Sequence, residues 1–308
     1  MSNPILCPVN PLKACKPRAA HTALATLAYF RGWAVCSALV LGGAQLQVQA
    51  QGQSREGVEV GQPSAFAKMV PAEQVENSAR QQYYQMLDQA HAKKALAPKD
   101  HPQLIRLRDI AKRIIPHALT WNPRAKDWKW EVNLIGSAQV NAFCMPGGKI
   151  AFYSGILDKL KLTDHEVAMV MGHEIAHALR EHARERMGKT AVTNGVARIG
   201  GALAASIFGI DPNLTDMVAR GGANLLTLEF SREDETEADI VGLELAARAG
   251  FDPRAGVTLW EKMSAANANS PPQWLSTHPS GRSRIAEIEQ QLPKVMPLYE
   301  KARLAYAE

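Results

Sequence analysis

Two histidines four residues apart, with a glutamate beside the first, are the residues of this chain best suited to metal chemistry. They form the sequence His173-Glu174-Ile175-Ala176-His177, an H-E-x-x-H motif. Residues four apart on a helix are rotated by about 400° and lie nearly one above the other, so both imidazoles can face one ion. Glu174 is rotated to the side, where it can reach a water molecule that the metal activates. The spacing predicts a zinc hydrolase site on a helix.

The stretch around this motif is predicted to be a largely buried helix. A capping box is predicted at its start, because Glu166 follows Thr163 by three residues. Gly172, directly before the first histidine, indicates close packing against a neighbouring element. The apolar positions of the helix are Val167, Val170, Met171, Ile175, Ala178 and Leu179.

A third metal ligand must come from another part of the chain, because catalytic zinc sites use three protein ligands and a water. The acidic run from Glu233 to Asp239 is its best source. On a helix, Glu235 and Asp239 share a face, so one can bind the metal while the other holds a ligand imidazole by its remaining N–H. The other histidines considered are expected to face solvent, namely His91, His101, His117, His165 and His182.

A small sheet is predicted just before the metal helix. Residues 128–135 alternate in polarity, and two further strand candidates, 140–143 and 149–154, flank a Pro-Gly-Gly turn. The sheet is expected to be antiparallel. A strand at its edge could pair with an extended peptide through main-chain hydrogen bonds.

Helices account for most of the remaining sequence, so the predicted fold class is α+β and mostly helical. Helical periodicity predicts scaffold helices before the sheet and further helices on either side of the metal helix. The predicted ranges are 72–94, 102–117, 155–162, 214–249 as one long helix or two, 253–266 and 281–292.

The first 50 residues differ from the rest of the chain. They hold four of the 35 basic residues and none of the 30 acidic ones, so the remainder has a net charge of +1 and no basic footprint for nucleic acid. An apolar run at 33–44 follows the basic residues, and Val48 to Ala50 fits a small-x-small cleavage site. Residues 1–50 are therefore predicted to be a signal peptide or a retained N-terminal anchor, followed by a flexible lead-in over 51–66.

Three of the four cysteines lie in this leader, so a processed chain keeps only Cys144 and forms no internal disulfide.

The Gly/Ala-rich segment 191–210 has two interpretations. Its uninterrupted apolar part, about 12 residues, is too short to span a membrane. It is either a packed helix or a lid or membrane-surface contact.

Four sequence blocks occur in the order seen in the HtpX-like, Ste-type zinc metallopeptidases. They are N-A-F-C-M-P-G-G-K-I from Asn141, H-E-I-A-H from His173, E-T-E-A-D from Glu235 and S-T-H-P-S-G-R-S-R-I from Ser276. Over about residues 104–288 the chain resembles the soluble, exported bacterial branch, which includes the BepA-like and LoiP-like envelope proteases. The resemblance implies a gluzincin metallopeptidase domain over 67–308, with a small antiparallel sheet beside the H-E-x-x-H helix.

The resemblance also implies a ligand set. It makes Glu235 the third ligand beside His173 and His177, with one Zn²⁺ per chain. It makes Asp239 the residue that orients a ligand histidine by accepting a hydrogen bond from the ring nitrogen that does not bind the metal.

Further roles are implied for residues outside the ligand set. Glu174 is the expected catalytic base, and His278 and Arg284 are expected near the reacting carbonyl, where either would stabilise the oxyanion. In some relatives the matching histidine caps the zinc and keeps the enzyme latent. Asn141 matches an edge-strand position that contacts substrate.

The expected function is a zinc-dependent metalloendopeptidase of the periplasm that cleaves misfolded or misassembled envelope proteins. Its partners would be polypeptide substrates, with peripheral association with the membrane or the envelope assembly machinery left open and no nucleic acid. The alternative is a chaperone-like envelope assembly factor with a latent or structural zinc site. Structural zinc sites are usually closed and rich in cysteine, so the single Cys144 and the intact Glu174 favour the enzyme.

Overall fold

The computed structural model describes residues 56–199, 225, 228–267, 273–278 and 282–306. The predicted leader lies outside this part of the chain, as do residues 200–210 of the Gly/Ala-rich segment. The described residues are mostly helical and contain one three-stranded sheet, which confirms the predicted fold class. Among the described helices, none is both long and apolar enough to cross a membrane.

The helices and strands largely follow the predicted pattern. In chain order they are α1 (Ala72–Ala92), α2 (Pro102–Ile114), β1 (Glu131–Ile135), β2 (Ala142–Met145), β3 (Lys149–Tyr153), α3 (Ser154–Leu160), α4 (Asp164–Leu179), α5 (His182–Ile199), α6 (Arg232–Arg248), α7 (Ala255–Asn267), α8 (Gln273–Thr277) and α9 (Arg282–Ala305). Short 3-10 helices span Ala65–Met69, Ile115–Thr120 and Pro123–Lys126. Helix α9 continues through Pro293 and Pro297, beyond its predicted end at residue 292.

The sheet has the strand order β1-β3-β2. Strands β2 and β3 form the predicted antiparallel hairpin, in which Phe143 lies opposite Ala151. Strand β1 instead runs parallel to β3, with Asn133 opposite Ala151. The sheet is therefore mixed, and the expectation of a purely antiparallel sheet is wrong. Alternation along a strand indicates which face is buried but not which strand lies beside it.

The two outer strands differ in what covers their free edges. Beside β1, Leu96 forms an isolated bridge with Ile135, and the Ala97 amide donates to the Leu134 carbonyl at 3.0 Å. Strand β2 has no second strand partner among the described residues. Its free edge is therefore where an extended chain could add main-chain hydrogen bonds.

Helix α4 carries the H-E-x-x-H motif, and every residue from Glu166 to Leu179 is buried. The predicted capping box is confirmed: the Glu166 amide donates to Thr163 Oγ1 at 3.3 Å, and the Thr163 amide donates to Glu166 Oε2 at 2.8 Å. Lys262 also donates to this carboxylate, at 2.7 Å. Burial opposes ionisation of Glu166, but its bonds to Lys262 and Thr163 outweigh burial and lower its pKa. The box anchors the first turn of the helix.

Helices α4 and α6 meet at two glycines. A Cβ atom on Gly172 would lie 2.6 Å from the Gly242 carbonyl oxygen, and one on Gly242 would lie 2.6 Å from the His173 amide nitrogen. No side chain fits between backbones this close. The close packing predicted at Gly172 is confirmed, and it brings α6 against the first histidine of the motif.

The segment predicted as a flexible lead-in is anchored where the structure describes it. Val58 is buried in the main core, and its amide donates to Glu244 Oε2 at 2.8 Å. Arg180 donates to the Gly61 carbonyl. These contacts connect Val58 and Gly61 to distant parts of the chain, and the flexible lead-in over 51–66 stays a prediction.

Gly242→Ala is expected to lower the free energy of unfolding by about 1–3 kcal/mol, because the new methyl group overpacks the α4–α6 contact. Gly256→Ala is the matched control, since a Cβ on this helix α7 glycine meets only side-chain atoms of Ile288 and Leu243, at 3.4 Å or more. The control is expected to be neutral or stabilising by up to about 1 kcal/mol. Guanidinium unfolding followed by circular dichroism measures both, and equal stabilities would contradict the close contact.

Candidate metal centre

The two histidines of the motif face one space, as the helical spacing predicts. His173 and His177 are both 3% exposed, and their Nε2 atoms lie 3.0 Å apart. Each ring therefore presents one nitrogen to the shared space and turns its Nδ1 atom away from it.

Helix α6 supplies the carboxylates, and the structure distinguishes their roles. Glu235 faces the shared space, with Oε1 3.3 Å from His177 Nε2 and Oε2 3.6 Å from His173 Nε2. Asp239, one helical turn later, accepts from His173 Nδ1 at 2.9 Å. Glu235 thus stands among the atoms that would bind a metal, and Asp239 holds a ligand from behind.

His278, which follows α8, reaches the same space. Its Nδ1 atom lies 2.9 Å from Glu235 Oε1 and 3.2 Å from His173 Nε2. Ligand atoms of His173, His177, Glu235 and His278 all lie within 4.8 Å of one another. Three nitrogens and one carboxylate oxygen at this spacing fit a single zinc ion.

The protonation states of His177, Glu235 and Asp239 suit metal binding, which needs neutral imidazoles and ionised carboxylates. His278 differs: burial disfavours its protonated form, but the charges of Glu174 and Glu235 outweigh burial and raise its pKa. Burial lowers the pKa of His177 well below its usual value, so the ring is neutral at pH 7. Burial opposes ionisation of Glu235, but His278 and His177 outweigh it and hold the pKa of Glu235 well below its usual range. Asp239 is likewise buried, and the charge of Arg284 keeps its pKa low.

Arg284 reaches the site but holds its carboxylates. Its Nε and Nη2 atoms donate to the two oxygens of Asp239 at 2.6 and 2.7 Å, and Nη1 donates to Glu235 Oε2 at 2.5 Å. Its guanidinium lies 3.8 Å from the ring centre of Trp260. These contacts make Arg284 a positioning residue. The oxyanion role expected for it stays a prediction that no contact in this structure tests.

Glu174, the expected catalytic base, is covered by a tryptophan that sequence reasoning missed. Trp274 on α8 is 1% exposed, and its indole Nε1 donates to Glu174 Oε1 at 2.6 Å. The same ring stacks on His278, with centroids 4.8 Å apart, and His278 Nε2 lies 3.5 Å from Glu174 Oε1. A lone tryptophan carries no motif signal, so only the fold could identify it.

His182 is wrongly predicted as a solvent-facing residue. It is fully buried, and its Nδ1 atom lies 2.9 Å from His177 Nδ1. The prediction assumed one continuous helix, but α4 ends at Leu179 and Glu181 adopts a left-handed backbone with φ of 61°. The turn brings His182 back against the ligand. Glutamate gives no sequence signal for such a turn.

A cleft runs from the free edge of β2 to the buried motif. It is lined by Asn141 and residues 142–146, by Glu174 and His177, and by an apolar wall that includes Phe230. Asn141 lies directly before β2, where its side chain accepts from the Ala142 amide at 3.0 Å. The predicted substrate position therefore lines the cleft, and its contact with substrate stays a prediction.

Residues 105–292 match Peptidase family M48. The chain belongs to this family. The match spans the sheet, both ligand helices and His278, so the M48 domain contains the whole candidate centre. Zinc is the cofactor of family M48, and His173, His177 and Glu235 are the donor set that fits it.

The M48 chain is similar to curated proteins from mitochondria and from bacteria. It is 37% identical over 201 residues to the mitochondrial metalloendopeptidase OMA1 of Schizosaccharomyces pombe, which covers 65% of this chain and 56% of the relative. It is 30% identical over 223 residues to the OMA1 of Saccharomyces cerevisiae, covering 67% and 61%. It is 31% identical over 173 residues to the beta-barrel assembly-enhancing protease of Escherichia coli, covering 54% and 35%. The chain thus spans between about a third and three fifths of these relatives.

Proposed function

We propose that this chain is a zinc-dependent metalloendopeptidase. The observation that carries the proposal is the juxtaposition of Glu174 with the ligand set of His173, His177 and Glu235 at the inner end of the β2 cleft. A site that only stabilises the fold has no need of a carboxylate base beside its ligands. Two of the similar curated proteins are named metalloendopeptidases, which agrees with this chemistry.

Each residue has a definable part in peptide hydrolysis. Zinc, when bound, supplies a Lewis acid that polarises the scissile carbonyl and lowers the pKa of water toward about 7. Glu174 accepts the proton of the attacking water and returns it to the leaving amine. To do so it must exchange its present partner, the Trp274 indole, for that water. His278 is the fourth donor at the same space, where it would cap the ion; donation to the oxyanion is the alternative role that the His278→Ala variant tests.

Strand β2 offers the means of holding a peptide substrate. It is the outer strand beside the cleft, and its main chain can pair with an extended segment that lies across Glu174. Recognition through the main chain selects unfolded segments rather than particular side chains. Asn141, at the start of the strand, would contact the same segment.

Misfolded or misassembled envelope polypeptides are the substrates that we propose, with the periplasm as the compartment. Two observations support this: the predicted export signal over residues 1–50, and the similarity to a bacterial protease named for enhancing beta-barrel assembly. The mitochondrial relatives support a protease but not this compartment.

One observation favours a second function. His278 adds a fourth donor to the ligand set, and a four-ligand site is typical of latent or structural zinc. A chaperone-like envelope assembly factor would use such a closed site without cleaving anything. The two functions differ in whether they require Glu174, because only the protease needs a catalytic base at this position.

Glu174→Gln is expected to retain one zinc per chain and to lose cleavage of casein by orders of magnitude, because the amide cannot accept the water's proton. Glu185→Gln, which removes a carboxylate paired with Lys189 on α5, is the control and should cleave as the wild type does. Zinc content by mass spectrometry and peptide release measure the two effects. Full activity of Glu174→Gln would refute Glu174 as the catalytic base, whereas no cleavage by the zinc-loaded wild type would refute the protease and leave the assembly factor.

His278→Ala is expected to raise the cleavage rate per bound zinc, because the substitution opens the fourth position of the ligand set. His165→Ala, at an exposed histidine of α4, is the control and should leave the rate unchanged. Casein cleavage at saturating zinc compares the variants with the wild type. A fall in rate would contradict the capping role and assign His278 to the oxyanion.

A further inference from the structure

We propose that His182, Glu237 and Arg180 form a positioning relay that holds the zinc ligand His177 from behind. The inference rests on the proposed function only in that it takes His173, His177 and Glu235 as the zinc ligands. None of the three relay residues belongs to the motif that binds the ion.

The hydrogen bonds of the relay have one consistent arrangement of protons. His177 directs Nε2 to the metal space, so its proton is on Nδ1, 2.9 Å from His182 Nδ1. His182 must then accept at Nδ1 and carry its own proton on Nε2. That nitrogen lies 2.9 Å from Glu237 Oε2, which accepts the bond.

Arg180 completes the relay at its outer end. Its Nη2 atom lies 2.6 Å from Glu237 Oε1, so the carboxylate is ion-paired while its other oxygen receives the imidazole. Arg180 is buried, which makes this pair less screened by solvent than a surface salt bridge. The carboxylate is thereby fixed in position, and so is the ring that donates to it.

The relay is the counterpart of the contact that holds the other histidine. His173 donates directly to Asp239, and Arg284 pairs with that carboxylate. For His177 the corresponding carboxylate, Glu237, is also on α6 but is reached through an inserted imidazole. Both zinc histidines therefore connect to an arginine-paired carboxylate of the same helix.

A role for His182 as a further metal ligand does not fit the contacts. One ring nitrogen faces His177 Nδ1 and the other faces Glu237, so neither points to the space between the ligands. The His182 ring is also fully buried, so it does not exchange protons directly with solvent. What remains is orientation of the ligand, and loss of such a partner typically weakens metal binding about 10–100-fold.

A pair of nearly isosteric variants separates this role from simple packing. His182→Asn keeps an oxygen that can accept from His177 Nδ1, whereas His182→Leu has the same size and no acceptor. The full chain is stripped of metal, and its zinc affinity is measured by competition with a chelator. His182→Leu is expected to bind zinc about 10–100-fold more weakly than the wild type. His182→Asn is expected to bind several-fold more tightly than His182→Leu.

The melting temperatures of the metal-free variants supply the second readout. If His182 acted only through packing, affinity would follow melting temperature, and the leucine variant would bind no worse than an asparagine variant of equal stability. Equal zinc affinity of the two variants, wild-type affinity of His182→Leu, or affinity that simply tracks stability would each overturn the relay.

Glu237→Gln and Glu244→Gln test the relay without altering the buried ring. Both glutamates are on α6 and both pair with an arginine, but Glu244 faces Val58 and Arg248. Glu237→Gln is expected to weaken zinc binding, and Glu244→Gln is expected to leave it unchanged. Equal affinities would overturn the relay even if the His182 variants did not fold. Because the readout is zinc binding, its result is independent of whether Glu174→Gln abolishes cleavage.

Discussion

The centre depends on the backbone contact between Gly172 of α4 and Gly242 of α6. At this point the two helices are too close to admit a single Cβ atom. The contact lies next to His173, so it fixes how far the α6 carboxylates stand from the α4 imidazoles. A wider crossing would withdraw Glu235 and Asp239 together, because both are carried by the same rigid helix. The close contact therefore sets the geometry of the ligands.

Bringing these helices together buries several ionisable groups, and the surrounding contacts compensate for their desolvation. Glu235 and Asp239 share the guanidinium of Arg284, which itself lies over Trp260. Glu237 has Arg180 on one side and His182 on the other. Buried charges are tolerated when each is paired and hydrogen-bonded. The same pairs fix the orientation of the residues that would bind the metal.

The sequence correctly predicted the positions of side chains that depend only on the spacing of residues along one helix. The H-E-x-x-H spacing predicted that His173 and His177 face one space, and the four-residue separation predicted that Glu235 and Asp239 share a face of their helix; their carboxylates lie 3.3 Å from His177 and 2.9 Å from His173. The chain's departures from local rules were not predictable. Glu181 adopts a left-handed backbone conformation that is found mainly at glycine. This turn brings His182 to His177. The parallel pairing of β1 with β3 and the hydrogen bond from Trp274 to Glu174 were also not predicted, because both join residues that are distant in sequence.

The most direct test is a crystal structure of the zinc-loaded protein with anomalous diffraction measured on both sides of the zinc absorption edge. We expect one strong anomalous peak per chain, about 2.0–2.2 Å from His173 Nε2, His177 Nε2 and a Glu235 oxygen. Asp239 and His182 should remain behind the two imidazoles and outside bonding distance of the ion. A peak elsewhere, or one without Glu235 among its ligands, would contradict the ligand set of His173, His177 and Glu235.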